Sequence, residues 1–198
     1  MSHQFPRIFL ARHGETLWSM SGQHTGRTEI PLTQQGELDA KSLGVRLKGI
    51  DFRAVFTSPL QRAKKTCELA GFAGVAHDDS DLLEWNYGDY EGKTRSWIVE
   101  QQPAWVVFRD GCPGGESPEE IRTRADRVVS RLRSLDGDVL LFSHGHFLRV
   151  LATAWLGSPT IDGRRLMLTT ASVSILSYDH DLSEPAIVLW NDNNHLRQ

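Results

Sequence analysis

The stretch Phe9-Leu10-Ala11-Arg12-His13-Gly14-Glu15-Thr16 decides how the chain is read. Ile8 to Ala11 form a short apolar run that stops at Arg12-His13-Gly14. A run of this kind reads as a buried strand. In an open α/β sheet, ligands bind just beyond the carboxyl ends of the strands, which places Arg12 and His13 at the mouth of a site. Gly14 lets the backbone turn sharply and approach a ligand closely. A histidine there can act as nucleophile, base or metal ligand. The adjacent arginine bears on that choice: it repels a metal cation, and its fork of donors suits phosphate.

The same layout recurs late in the chain. Val139 to Phe142 read as a buried strand ending in Ser143-His144-Gly145-His146, and Phe147 to Leu156 continue as a helix. Two strands that end in histidines beside glycines can bring both imidazoles to one sheet edge. His144 and His146 also have the spacing of a metal-ligand pair. Alternate residues of an extended segment point to opposite sides, so the metal reading is the weaker one.

Between these two stretches lie further chemical candidates. Ala54 to Thr57 read as a strand. Ser58 is expected at the N-cap and Pro59 at the first position of a helix with Leu60, Ala63, Cys67 and Ala70 inward. Arg62 falls off that stripe in about the first turn, where free N–H groups and the helix dipole already favour anions. Glu84 is set in Leu82-Leu83-Glu84-Trp85-Asn86-Tyr87-Gly88, and apolar surroundings of this type favour a carboxyl that donates a proton. Asp81, Asp89 and Glu91 are weaker candidates for the same task.

The remainder reads as scaffold. Leu17 to Pro31 is expected as a loop. Thr33 caps a helix that turns Leu32, Gly36, Ala40, Leu43 and Leu47 to one face and stops at Gly49. Lys93 to Glu116 reads as a helical excursion plus loop, a lid with Trp85, Trp97 and Trp105 as its core. Ser117 and Glu120 form a capping box for a helix running to about Leu135. Its arginines, Arg122, Arg124, Arg127, Arg131 and Arg133, read as a solvated face, with Arg124 paired to Glu120. Ser172 to Tyr178 and Ala186 to Leu189 close the chain as an edge hairpin, followed by a polar tail from Asn191 to Gln198.

The chain's 198 residues fit one domain, 1–198, with the lid at about 93–116. A net charge of −3 gives no general pull toward nucleic acid. No apolar stretch reaches membrane-spanning length, and Met1 to Pro6 lack the apolar region of a signal peptide. Cys67 and Cys112 show no paired-motif spacing and fit a reducing compartment. These features predict a soluble, cytoplasmic protein without nucleic-acid or membrane partners; a homo-oligomer is compatible with them.

In order, Arg12-His13-Gly14, Ser58-Pro59-Leu60-Gln61-Arg62-Ala63, Leu83-Glu84, Gly115-Glu116-Ser117 and His144-Gly145 closely resemble the motifs of the histidine phosphatase superfamily, also called phosphoglycerate mutase-like. The resemblance implies a three-layer α/β/α sandwich around a mainly parallel sheet. It implies that His13 is phosphorylated during turnover and that Arg12, Arg62 and a protonated His144 form the phosphate pocket. Glu84 would then be the proton donor, with no metal and no cofactor. The segments Trp18 to Gly26, Glu84 to Gly92, Arg109 to Cys112 and His144-Gly145-His146 are similar to the sedoheptulose bisphosphatase branch, which implies a small sugar phosphate or bisphosphate as substrate. Ser19, His24, Thr25 and Gly26 are then candidates for binding it, together with Arg109, Gly145 and His146. Arg109 and His24 are the candidates for a distal phosphate. Ser19 and His146 stand where mutases of the family commonly carry Asn, so a mutase is the second reading. A phosphate-binding regulatory relative with little turnover is the third.

Overall fold

Alternation along the central strands sorts the core into two faces. In β1 (Ile8–Arg12), Ile8 and Leu10 join one apolar cluster while Phe9 and Ala11 join the other. In β4 (Asp138–Ser143), Val139 and Leu141 face the first cluster, and Leu140 and Phe142 the second. Strands buried on both sides in this way are what parallel α/β sheets require.

The structure is a computed structural model and describes residues 5–196. After β1 come α1 (Leu17–Ser21), α2 (Gln34–Leu47), β2 (Phe52–Thr57), α3 (Gln61–Leu69) and β3 (Ala76–Asp78). Then follow α4 (Arg95–Gln101), α5 (Val107–Asp110), α6 (Pro118–Arg133), β4, α7 (Gly145–Trp155), β5 (Val173–Tyr178) and β6 (Pro185–Asp192). The six strands form one sheet in the order β3-β2-β4-β1-β5-β6. β3, β2, β4 and β1 run parallel, and β5 and β6 are added antiparallel as the expected edge hairpin. Leu43 and Leu47 of α2 and Cys67 of α3 cover one face. Ile121, Val128 and Leu132 of α6 and Leu148 and Leu151 of α7 cover the other, which completes the α/β/α sandwich. Ile98, Trp105 and Phe108 of the 93–116 excursion belong to the first cluster too, on the α6–α7 face. No helix among the described residues is long and apolar enough to cross a membrane.

Several local expectations change. Leu17 to Ser21 form a short helix, because Thr16 Oγ1 accepts from Ser19 N at 3.1 Å and Ser19 Oγ accepts from Thr16 N at 2.9 Å. The helix after β2 starts at Gln61 with Leu60 at its N-cap; Ser58 is drawn away by a histidine described below. Trp97 lies on the surface under the Lys93 ammonium, so only Trp85 and Trp105 of the three tryptophans are core. Arg124 is buried and pairs with Glu116, while Glu120 is spent on the capping box with Ser117. The end of the expected polar tail, residues 197–198, lies outside the described residues.

One glycine pair sets how close α2 comes to the β1 turn. A Cβ on Gly36 would lie 2.3 Å from the Glu15 carbonyl oxygen, and one on Gly14 would lie 2.4 Å from that of Gly36. In an open helix interior, Gly→Ala gains about 1 kcal/mol. Here Gly36→Ala is expected to reverse that sign, destabilising by about 1–3 kcal/mol through overpacking against backbone. Urea melts of the two proteins check it; a stabilised variant would contradict the close approach.

Candidate active site

The register of β1 against β4 places the two histidines side by side. Arg12 is level with Ser143, and His13 N donates to Ser143 O at 3.0 Å. The His13 and His144 ring centroids are 5.2 Å apart. His13 Nδ1 lies 2.7 Å from the Gly14 carbonyl oxygen. A carbonyl only accepts, so Nδ1 carries the hydrogen and Nε2 keeps its lone pair. Burial, reinforced by Arg62 and Arg12, holds the His13 pKa well below its usual value and keeps the ring neutral.

His144 has a different job. Its Nδ1 accepts from Arg62 Nε at 3.1 Å, and its Nε2 lies 2.7 Å from Ser58 Oγ. A nitrogen that accepts from a guanidinium is not protonated. Burial, Arg62 and His13 also push the His144 pKa well down. His144 is therefore neutral and donates through Nε2–H to Ser58, which corrects the expectation of a protonated ring. The same bond explains why Ser58 does not cap α3.

The two arginines are also unequal. Arg12 lines the pocket and donates through Nη1 to Leu168 O, while its Nε is buried with no hydrogen-bond partner. A Cβ on Gly145 would lie 3.2 Å from Arg12 Cζ, so the glycine lets this guanidinium lie against the start of α7. Arg62 is fully buried. It donates to His144, to Thr28 O at 3.1 Å, to Thr25 O at 3.0 Å and to Gly26 O at 2.9 Å. Those bonds take four of the five guanidinium N–H groups. Arg62 thus clamps the 25–28 loop to His144 and does not line the pocket, where it was expected as a direct phosphate ligand.

Glu84 sits at the N-terminus of α7. Oε1 accepts from Trp85 N at 2.8 Å and Phe147 N at 2.9 Å, and Oε2 accepts from His146 N at 3.0 Å. The apolar setting expected around this carboxyl is replaced by three backbone donors, because Trp85 turns its ring into the core and donates its Nε1–H to Glu116 O. Arg124 fixes the segment from below, donating to Leu83 O at 2.6 Å and Glu84 O at 3.3 Å while paired with Glu116. Asp81, Asp89 and Glu91 do not line the pocket. Asp81 pairs with Arg127, and Glu91 accepts from Gly26 N and Thr28 N.

His13, Arg12, Glu84 and Gly145 surround a cavity of about 160 Å³ that also takes in Ser19, His24, Thr25, Tyr87, His146 and Arg149. Ser19 reaches it while its hydroxyl caps α1. Gly26 lies outside, packed so tightly that a Cβ would meet Glu91 Oε2 at 2.5 Å and Trp85 O at 2.7 Å. Arg109 also lies outside: it is exposed, and its guanidinium is held by Asp110 and by Ala104 O. The second cation in the cavity is Arg149, which sequence reasoning missed. Its Nε donates to Gly163 O at 2.8 Å, its guanidinium covers Phe108, and burial lowers its pKa to about 10. The available signal was a lone arginine four residues after Gly145, on the same face of an otherwise apolar helix. Tyr87, also missed, pairs its hydroxyl with His146 Nδ1.

The two ring nitrogens of His144 are both taken by protein groups, so His144 and His146 do not form a metal pair. Among the described residues, the group with metal-ligand spacing is Asp179, His180 and Glu184, exposed in the β5–β6 turn.

The family model for the histidine phosphatase superfamily (branch 1) matches residues 8–193. An acid phosphatase of Mycobacterium tuberculosis is 41% identical over 186 residues, covering 92% of this chain and 91% of that protein. Sedoheptulose 1,7-bisphosphatase of Saccharomyces cerevisiae is 30% identical, with 93% and 92% covered. A probable phosphoglycerate mutase of Salmonella choleraesuis is 32% identical, with 87% and 85% covered. The solved structure of an open reading frame product of Mycobacterium tuberculosis superposes with a TM-score of 0.89 at 39% identity, covering 94% of this chain and 97% of that one. Motif order, sandwich fold and these matches agree: the chain belongs to the histidine phosphatase superfamily.

Proposed function

We propose that this protein hydrolyses small phosphomonoesters, sugar phosphates and bisphosphates among them, through a phosphohistidine on His13. The observation that carries the reading is the fixed tautomer of His13, a neutral buried ring with an Nε2 lone pair beside a guanidinium that has an orphaned donor. Nε2 attacks phosphorus, and the ester P–O bond breaks. Arg12 takes up the charge that spreads over the transferring oxygens. Glu84 protonates the leaving alkoxide, and its three N–H donors then hold the carboxylate. Water attacks the phosphohistidine, gives its proton back to Glu84, and the N–P bond breaks. Arg62 and His144 act as positioning groups, tying the 25–28 loop to the imidazole pair. A second phosphate on the substrate would meet Arg149, in place of Arg109. The acid phosphatase and bisphosphatase relatives support hydrolysis; a mutase differs in returning the phosphoryl group to the organic product.

His13→Ala is expected to abolish phosphate release from glycerol phosphate and nitrophenyl phosphate while keeping the fold by circular dichroism. Labelled phosphate should be trapped on wild type under alkaline conditions, since phosphohistidine is acid-labile. Near-normal turnover by the variant would refute the assignment. A phosphoglycerate mutase assay run beside it decides the second reading.

Because arginines supply the positive charge at the site, a chelator is expected to leave turnover unchanged and vanadate to inhibit it. Loss of activity on chelation, restored by one divalent ion, would reverse this.

Glu84→Gln should lose roughly 10²–10⁴-fold on alkyl phosphates, whose alkoxide needs a proton. Nitrophenolate leaves without one, so the pre-steady-state burst with nitrophenyl phosphate should stay close to wild type and be followed by slow turnover. A burst slowed as much as alkyl phosphate turnover would make Glu84 a positioning group instead.

A further inference from the structure

Two more histidines line the cavity, and the hydrolytic steps use neither. His24 is buried, and its Nδ1 lies 2.8 Å from the Lys93 carbonyl oxygen. That carbonyl only accepts, so Nδ1 carries the hydrogen. Burial lowers the His24 pKa, so the ring is neutral and its Nε2 is a bare acceptor. His146 has the opposite polarity. Its Nδ1 pairs with the Tyr87 hydroxyl, and among the described residues no other protein group accepts from that hydroxyl. Burial and Glu84 push the phenol pKa well up, so the hydroxyl keeps its hydrogen. The hydrogen goes to Nδ1, which leaves His146 Nε2 as a donor. Burial and Arg149 hold the His146 pKa well below its usual value, so this ring is neutral as well. The two rings stack at 6.0 Å with planes 18° apart. Stacked rings cannot bond to each other edge to edge, and neither Nε2 has a protein partner among the described residues.

The two stacked rings in the lining of the cavity thus offer one acceptor and one donor without protein partners. A hydroxyl donates and accepts through one oxygen, with bonds of about 2.9 Å to each side. A methylene does neither, and its presence would strand both nitrogens. We propose that His24 Nε2 and His146 Nε2–H together read a hydroxyl of the substrate, selecting polyol phosphates over alkyl phosphates, with Tyr87 as the positioning residue that sets the polarity of His146. The inference rests on the phosphatase reading above and names the substrate class for the same cavity.

The test compares glycerol 1-phosphate with n-propyl phosphate, which share a chain length and differ in hydroxyls. For wild type, kcat/KM is expected to favour the glycerol ester by about tenfold, the worth of one good hydrogen bond. His24→Phe keeps a ring in the stack and removes the acceptor. Tyr87→Phe frees His146 Nδ1. Both variants, confirmed folded by their thermal melts, should bring the ratio close to one. Nitrogen-15 NMR of the imidazoles should show Nδ1–H on His24 and Nε2–H on His146. Equal kcat/KM for the two esters in wild type, an unchanged ratio in the folded variants, or the reverse tautomers would each overturn the proposal. Nitrophenyl phosphate assayed alongside separates the two levels. Turnover without discrimination defeats the hydroxyl reading alone, whereas no turnover of any ester defeats the phosphatase reading with it.

Discussion

The in-register pairing of β1 with β4 is the constraint from which the site follows. It sets Arg12 level with Ser143 and lets His13 N donate to Ser143 O, so two chain segments far apart in sequence end at one height. His13, Ser143 and His144 are buried at that height, and Arg12 is partly buried beside them. The consequence is electrostatic: two imidazoles lose their protons, and the guanidiniums of Arg12 and Arg62 lose hydration that the protein only partly replaces. Arg62 recovers it in carbonyl groups and His144. Arg12 does not, and keeps a buried donor without a partner. A buried cation left this way is costly unless an anion completes it. The fold therefore creates a demand for negative charge at the carboxyl end of β1, and a phosphoryl group between Arg12 and the neutral His13 would meet it.

Arg62 shows why the site behaves as a unit. One side chain on α3 reaches the 25–28 loop, the β4 end and, through His144, Ser58. Removing it would leave three carbonyls and an imidazole nitrogen unsatisfied in a buried place, a loss well beyond one hydrogen bond. Arg124 does the same on the other side of the pocket, joining α6 to Asp81, Leu83, Glu84 and Glu116. The two arginines thus tie the 25–28 loop and the Glu84 segment to the helices α3 and α6 that carry them.

The elements were legible in the sequence where the cause is local. The apolar runs of β1 and β4, the Thr33 cap and the Ser117–Glu120 capping box need only neighbours in the chain, and they stand as read. Ser58 had the right residue type for a cap, but a histidine 86 positions away competes for its hydroxyl. Arg109 and Arg149 show the same limit in reverse. Arg109 stood in a suggestive loop, yet Asp110 beside it captures its charge. Arg149 stood alone in a largely apolar helix, marked only by its spacing from Gly145, and reaches the cavity because α7 starts there. Arg124 was assigned to solvent by an i,i+4 rule that is sound for isolated helices. Its actual partner, Glu116, lies before the helix begins and is only available once the 83–86 segment packs against it.

The polarity of the cavity wall lies furthest from the sequence. Histidine is one letter, but its neutral ring presents a donor or an acceptor according to what holds the other nitrogen. At His13 that choice is local, since Gly14 is the next residue. At His24 it is made by a carbonyl 69 residues later, and at His146 by a hydroxyl 59 residues earlier. The reactive nitrogen is thus fixed by the motif itself, while the polarity of His24 and His146 is fixed by groups far away in the chain. A fold of this design could keep one chemistry and change the polarity of its cavity wall by altering Tyr87 alone, without touching a histidine, whereas the carbonyl that sets His24 is main chain and survives substitution of Lys93. Specificity would then reside in residues that never contact phosphorus.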